Sequence, residues 1–362
     1  MSLWLQFVDQ LLESGSQPTA EYDRPGVGRF GAIEREYDAL ADGPAIVDRS
    51  YRGLLEITGS DRGPWLHNLT TNQVKPLSSG DGNYAFTLNL KGRILFDLNI
   101  MVRADSIWID LDRRFLGIAM QHFDKYTIME DVKVADRSDE WVRFGLVGSG
   151  TAELVSRFGV TTAANLPFLG MTDIRFSDVE VPLLRHDFCG PFALELFVPA
   201  EHAVECWRSL TDESQSPHAV PVGDDAVQVR RIEAGIPWSL REITDEYLPA
   251  ETGLMEKAVS ETKGCYLGQE VVERMRSRQV VARRLMGLEI AGSDCPKAPA
   301  DLLNADAKVV GKLTSACHSP AKAGLIGLGY VKTASGAVGG RLGVSWEDGT
   351  TEGVLVDLPF SL

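Results

Sequence analysis

A chain of 362 residues exceeds what one hydrophobic core usually serves, so two or three domains are expected. Its composition, 44% hydrophobic and 24% charged with Gly 35 and Pro 17, is globular and excludes a disordered or low-complexity chain. The net charge of -15 opposes a broad phosphate-binding surface, so neither nucleic acid nor an anionic membrane is expected as a stable partner, and any anion site must be local.

The first fourteen residues place Leu3, Trp4, Phe7, Val8, Leu11 and Leu12 at helical spacing. They lack a basic start and a cleavage site, and no apolar run of about 18 residues occurs elsewhere, which argues against secretion and membrane spanning. Gly15 to Arg29 is rich in Ser, Pro and Gly and reads as a linker that leaves this helix an appendage. From Pro44 to Ser138, β-like runs ("LLEITGS", "NYAFTLN", "RILFDLNIMV", "SIWIDLD") alternate with helical ones ("DRGPWLHNLTT" and Arg114 to Tyr126), an α+β pattern. A similar grammar runs from Trp141 to Trp238, with strands at "VRFGLVG" and "FALELFVP" and a helix over Glu201 to Leu210. From Arg283 the runs are short and broken by Gly ("LMGLEIAG", "KVVGKLTS", "GLIGLGYVK", "RLGVSW", "TEGVLVD"), as in a small β-barrel. The expected parts are therefore residues 1–30, 31–140, 141–282 and 283–362.

Cys189, Cys206, Cys265, Cys295 and Cys317 are widely spaced and form no CxxC. That fits a reducing, cytoplasmic setting better than a disulfide framework, and it argues against a permanently held zinc ion or cluster. The six histidines show no metal spacing, no GxSxG elbow is present, and the glycines of "GLIGLGYV" lack the strand-turn-helix context of a dinucleotide site.

The most specific string is Lys263-Gly264-Cys265-Tyr266-Leu267-Gly268-Gln269-Glu270, followed by an apolar-basic helix through Arg276. It resembles, without a gap, the K-G-C-[YF]-x-G-Q-E signature of the YgfZ family, within the superfamily of the glycine-cleavage T-proteins. Asn89 to Leu98 resembles that family's N-x-K-G-R-x-x-x-D segment, and Arg231 to Pro237 its R-x-E-x-G-x-P segment. Pro249 and Glu251 precede the cysteine motif, and Gly311 to Ser315 with Gly327 to Val331 resembles the superfamily's terminal barrel.

The resemblance implies a three-lobed ring: two ferredoxin-like α+β lobes plus a C-terminal β-barrel around a central folate channel. The implied cofactor is tetrahydrofolate or a derivative such as 5-formyltetrahydrofolate. In T-proteins an aspartate of the first motif assists aminomethyl transfer from a lipoyl carrier, and Asp97 is the candidate here. T-proteins carry two consecutive acids there, whereas this chain has Phe96-Asp97. They also read G-Y-T-G-E-D-G where this chain has Asp187-Phe188-Cys189-Gly190-Pro191-Phe192-Ala193, so the pterin-gripping Glu becomes Pro191, which offers neither charge nor donor.

Cys265 follows Lys263 and precedes a helix start, both of which favour thiolate chemistry or transient metal contact; a lone cysteine reads sooner as a buried structural one, and it is the motif that reverses the preference. Lys263 to Arg284 holds six basic residues against Glu270 and Glu273. Either this is a channel mouth for the carboxylates of a folate glutamyl tail or a solvated helix face; no aromatic platform interleaves it for RNA. Asp97 is either an acid/base or a backbone-capping carboxylate, Tyr84 and Asn89, upstream on the same strand, line the same cavity unless Tyr84 is simply core, and Arg231 is favoured as a ligand contact with Glu233 structural. The expected site is thus catalytic Cys265 and Asp97, with Tyr84, Asn89, Lys91, Asp97, Arg231, Lys263, Tyr266, Gln269, Glu270 and Arg274 binding the folate.

The leading functional expectation is a monomeric, folate-binding accessory protein whose partners are iron-sulfur client or assembly proteins, tRNA-modifying enzymes among the clients. Its alternative is a folate-dependent aminomethyltransferase. A demethylase-like folate domain lacks its usual fused flavin domain, and a scaffold that has lost its ligand is the fourth reading.

Overall fold

The amphipathic N-terminus forms the helix Leu3–Glu13 in a computed structural model that describes residues 3–19, 22, 24–190, 192–278 and 281–361. The chain divides into two compact units, Met1–His67, Gln73–Tyr84 and Leu98–Val227 in the first, and Asn68–Asn72, Ala85–Asp97 and Gln228–Leu362 in the second.

In the first unit the N-terminal helix is no appendage. Trp4 and Val8 are buried in one hydrophobic cluster with Phe144, Leu196 and Trp207, and the Trp4 indole N–H donates to Asp48 (3.1 Å). Burying side chains of this size stabilises a fold by roughly 1.5–3 kcal/mol each, ample reason for the segment to be integral. The expected linker contains a small antiparallel pair, Gln17–Pro18 with Val27–Arg29. A six-stranded sheet runs in the order Met171–Phe176, Val179–Arg185, Ala193–Pro199, Trp141–Val147, Ala45–Asp48, Val220–Val222, with only the last pair parallel. Ala45–Asp48, expected with the first lobe, therefore belongs to the sheet of the second.

A five-stranded sheet has the order Gly82–Leu88, Ile94–Val102, Ile107–Asp112, Arg52–Thr58, Lys133–Asp136. Its helices, Arg62–Leu69 and Leu116–Lys125, coincide with the two helical runs read from the sequence.

The second unit closes a six-stranded antiparallel barrel in the order Arg283–Ile290, Gly324–Lys332, Val309–Ser319, Ala300–Leu303, Arg341–Trp346, Gly349–Val356. Leu288, Leu302, Leu313, Val344 and Leu355 fill it. A β-carbon at Gly327 would stand 2.6 Å from the Ser315 carbonyl oxygen, so that glycine serves close strand approach. The architecture is α+β with a closed terminal barrel, as the sequence pattern indicated. Among the described residues no helix is long and apolar enough to cross a membrane.

Candidate functional site

Two turns of the second unit meet. The first joins Gly82–Leu88 to Ile94–Val102, where the Asn89 N–H donates to the Arg93 carbonyl (3.0 Å) and the Gly92 N–H to the Asn89 carbonyl (2.9 Å). The Asn89 side-chain oxygen accepts from the N–H groups of Lys91 (2.8 Å) and Arg93 (3.1 Å), the local bonding that makes Asn a turn residue. Asn89, expected to line a cavity, thus has its carboxamide oxygen engaged in building the turn. Leu90 and Lys91 at its tip are exposed.

The second turn is the cysteine motif. Gly268 has φ +82°, and a β-carbon there would lie 2.7 Å from the Asn89 carbonyl oxygen; one at Gly92 (φ +71°) would lie 2.7 Å from Cβ of Val271. Only glycine permits both the left-handed backbone and the approach. The Leu267 N–H donates to the Asn68 carbonyl (3.2 Å), and the Gln269 N–H to that of Tyr266 (3.2 Å) as the helix Gln269–Arg278 begins. Gly264 and Cys265 are exposed, and the thiol is free.

Lys263 turns inward. Its ammonium donates to the carbonyls of Thr70 and Asn72 and lies 5.0 Å from the Tyr266 ring centre. The Thr71 hydroxyl donates to the Ala258 carbonyl (2.6 Å) and accepts from the Phe86 N–H (2.8 Å), while the Asn72 amide donates to the Lys257 carbonyl (2.9 Å). The segment Asn68–Asn72 is therefore held on both sides by polar groups that the sequence reading passed over; its signal was the polar Thr-Thr-Asn run directly after the helix Arg62–Leu69. Tyr266 is buried, its hydroxyl has no hydrogen-bond partner among the described residues, and burial together with the Glu273 charge pushes it up to about 12.

The basic stretch is largely paired within the protein. Arg274 pairs with Glu270 (2.7 Å) on the open helix surface, Arg276 with Glu273 (3.0 Å), and Arg283 with the buried Glu251 (3.1 Å). Arg284 donates to the Gly336 carbonyl (2.5 Å). The side chain of Arg278 lies outside the described residues.

Asp97 is buried on the strand Ile94–Val102 and accepts from the Ser239 hydroxyl. Ser239 belongs to a tight loop in which the N–H groups of Arg241, Glu242 and Ile243 converge on the Trp238 carbonyl (3.2, 3.0 and 3.0 Å). Fully buried Glu242 pins the loop: one carboxylate oxygen accepts from the Trp238 N–H (3.0 Å) and Arg231 (2.8 Å), the other from Thr314 (2.7 Å) and Ser315 (2.6 Å).

Arg231 is placed otherwise than expected. It lies on the helix Asp224–Glu233 with no exposed surface, and its guanidinium donates to Gln228 (2.9 Å), Ile236 (3.3 Å), Glu242 and Ser315 (2.6 Å). A guanidinium closed off from solvent and bonded on three nitrogens holds structure rather than meeting a ligand. Glu233 is buried and accepts from the Ser319 hydroxyl.

Tyr84 belongs to the first unit and is buried, its backbone N–H donating to Asn83 (3.0 Å). That unit also contains a buried ionic cluster. Asp110 takes both prongs of Arg52 (2.9 and 2.8 Å), a bond from Arg143 and one from Asn99 (2.6 Å). Glu195 is ion-paired with Arg49 (3.1 Å) and Arg143 (2.5 Å), and Nδ1 of His186 lies 2.9 Å from its other oxygen. Burial opposes the charged form of both carboxylates, but the neighbouring guanidiniums outweigh it and hold both well below the usual range. Burial is the largest influence on His186 and leaves it lowered, with Glu195 working the other way. The sequence carried a signal for this cluster: Arg143 and Glu195 are single charges inside apolar strands, and Asp110 is flanked by apolar residues in the strand Ile107–Asp112. Pro191, where the sequence departs from the T-protein loop, lies outside the described residues. Among the described residues no group of three or more His, Cys, Asp and Glu side chains is arranged to hold a metal ion.

Residues 13–263 match the family model described as the GCVT N-terminal domain, and residues 283–361 match the glycine cleavage T-protein C-terminal barrel domain. A chloroplastic protein of Arabidopsis thaliana named as a putative transferase is 26% identical, over 98% of this chain and 79% of its own. The aminomethyltransferase of Caldanaerobacter subterraneus subsp. tengcongensis is 24% identical, over 92% of this chain and 88% of its own. The crystal structure of the glycine cleavage system aminomethyltransferase T from Bartonella henselae superposes with a TM-score of 0.87 at 19% identity, covering 98% of this chain and 96% of that one.

Proposed function

Because the chain belongs to the glycine-cleavage T-protein family, whose two domains match residues 13–263 and 283–361, we propose that it is a tetrahydrofolate-binding protein of the YgfZ type. In this reading it supports assembly or repair of iron-sulfur enzymes and, through them, tRNA modification. The observation that carries the reading is the seating of the Gly268 turn, three residues after an exposed Cys265, on the Asn89 turn, whose following strand bears Asp97.

A reduced folate fits the chemistry of these residues. Its pterin N–H groups suit a buried carboxylate such as Asp97, and its glutamyl carboxylates suit exposed cations such as Lys91 and Arg274. Tyr266 adds an aromatic surface, and Lys263, Gln269 and Glu270 shape the turn and helix start around it. Cys265 is the group that meets a thiol, metal or cluster intermediate of a client.

Titration calorimetry with 5-formyltetrahydrofolate tests the ligand: heat and a raised melting temperature are expected, since a ligand that binds only the native state stabilises it by mass action. Neither effect at millimolar folate would leave the scaffold reading. A strain lacking the gene should lose activity of cluster-containing enzymes, tRNA-modifying ones included; normal activities under oxidative stress would overturn the client role.

The second reading is aminomethyl transfer, favoured by the names of the relatives. There tetrahydrofolate takes the methylene carbon from an aminomethyl-lipoyl carrier, ammonia leaves, and methylenetetrahydrofolate and dihydrolipoyl carrier result. Phe96 and Pro191, at positions that T-proteins fill with acids, argue against it. Ammonia released at enzymatic rates from carrier and folate would reverse the ranking.

A further inference from the structure

We propose that Ser239 is the positioning residue of Asp97, and that the barrel fixes it in place through Glu242. The inference rests on the folate reading above, in which Asp97 meets the pterin. Ser239 is buried, and its hydroxyl donates to Oδ1 of Asp97 from 142 residues away in the chain. A carboxylate turns about a soft terminal torsion, so a buried hydroxyl on one oxygen selects one orientation for both.

The loop behind Ser239 is rigid for reasons visible in its bonding. Leu240 stands at φ +65°, a left-handed conformation rare for a branched side chain, and is two-fifths exposed, so no burial of its own compensates. What holds it is the loop's closure, the Leu240 N–H donating to the Ile243 carbonyl (2.9 Å), and the anchorage of Glu242. Thr314 and Ser315, two residues of the barrel strand Val309–Ser319, both donate to that carboxylate, and Arg231 bridges Glu242 and Ser315. A continuous series of hydrogen bonds and one tight loop therefore runs from the barrel wall to Asp97. This gives Arg231 an indirect part: it supports the loop that aims the carboxylate.

The test uses the full-length protein and 5-formyltetrahydrofolate, with affinity read by calorimetry. Thr and Val have nearly the same shape and differ in the hydroxyl, so Ser239→Thr should bind within about threefold of the parent, while Ser239→Val weakens binding about tenfold or more, the size of a lost hydrogen bond to a charged group. If Val proves too bulky to fold, Ser239→Ala replaces it in the same comparison. Combining either change with Asp97→Asn should give no further loss, because the serine acts only through that carboxylate. Equal affinities for the Thr and Val variants, or an undiminished loss in the Asp97→Asn background, would overturn the positioning role alone. No binding by the unaltered protein would overturn the folate reading and this inference together.

Discussion

The α-carbon of Gly268 comes so near the carbonyl of Asn89 that an added β-carbon would lie 2.7 Å from its oxygen. Two segments 179 positions apart in sequence are thereby forced into one structure, three residues from the exposed thiol of Cys265. Gly268→Ala should destabilise the protein by roughly 1–3 kcal/mol, from left-handed strain and backbone collision together. Gly253 has φ +76°, and a β-carbon added there would meet no atom within 4 Å, so Gly253→Ala carries the strain without the collision. Chemical denaturation should rank Gly268→Ala clearly below Gly253→Ala; equal midpoints would mean that the two turns do not bear on each other.

Glu242 is the acceptor on which Arg231, Thr314 and Ser315 converge. Glu242→Ala should cost about 3–5 kcal/mol, because it leaves a buried guanidinium uncompensated. Adding Arg231→Met should recover part of that loss, read as a partial return of the denaturation midpoint. A surface pair such as Glu270 with Arg274 should behave differently, Glu270→Ala changing stability by less than about 1 kcal/mol.

Acid should undo the ionic cluster in two stages. His186 is depressed in the fold, so the unfolded chain takes up its proton first and stability begins to fall below the ordinary histidine value of about 6.5. Asp110 and Glu195 are depressed too; their contribution is complete above the ordinary carboxylate value of about 4 and is lost as pH drops towards their lower folded values. Urea denaturation from pH 7 to 3 should show both slopes, with His186→Gln flattening the upper one and Asp110→Asn the lower.

Cys265 should be the most reactive thiol of the native protein. Cys189 and Cys206 are buried and burial pushes Cys206 and Cys317 up to about 12, while Cys295, an exposed residue, has its thiol raised by partial burial. Timed labelling with a disulfide reagent should show one fast phase that Cys265→Ser abolishes, with Cys206 reacting only after unfolding. A fast phase surviving in Cys265→Ser would place the reactive thiol elsewhere.

The order and type of most elements, the closing barrel and the turn of the cysteine motif were legible in the sequence, whereas Asn89, expected on one strand with Asp97, stands in a turn between two strands. Side-chain periodicity and turn chemistry are local, so strands such as Ile94–Val102 and Gly324–Lys332 announced themselves, and the paired glycines of the cysteine motif announced a tight turn. The destinations of the charges were not legible. Lys263 meets the Thr70 carbonyl across 193 residues and Arg231 meets Ser315 across 84, and whether a cation faces a ligand or a backbone carbonyl depends on which distant groups fill the space around it. Composition likewise could not tell that Trp4 and Val8 had a core to enter. Local patterning determined where the chain bends and which faces are apolar; tertiary packing decided which polar groups are taken out of water, because a buried charge must find its partners wherever the fold brings them.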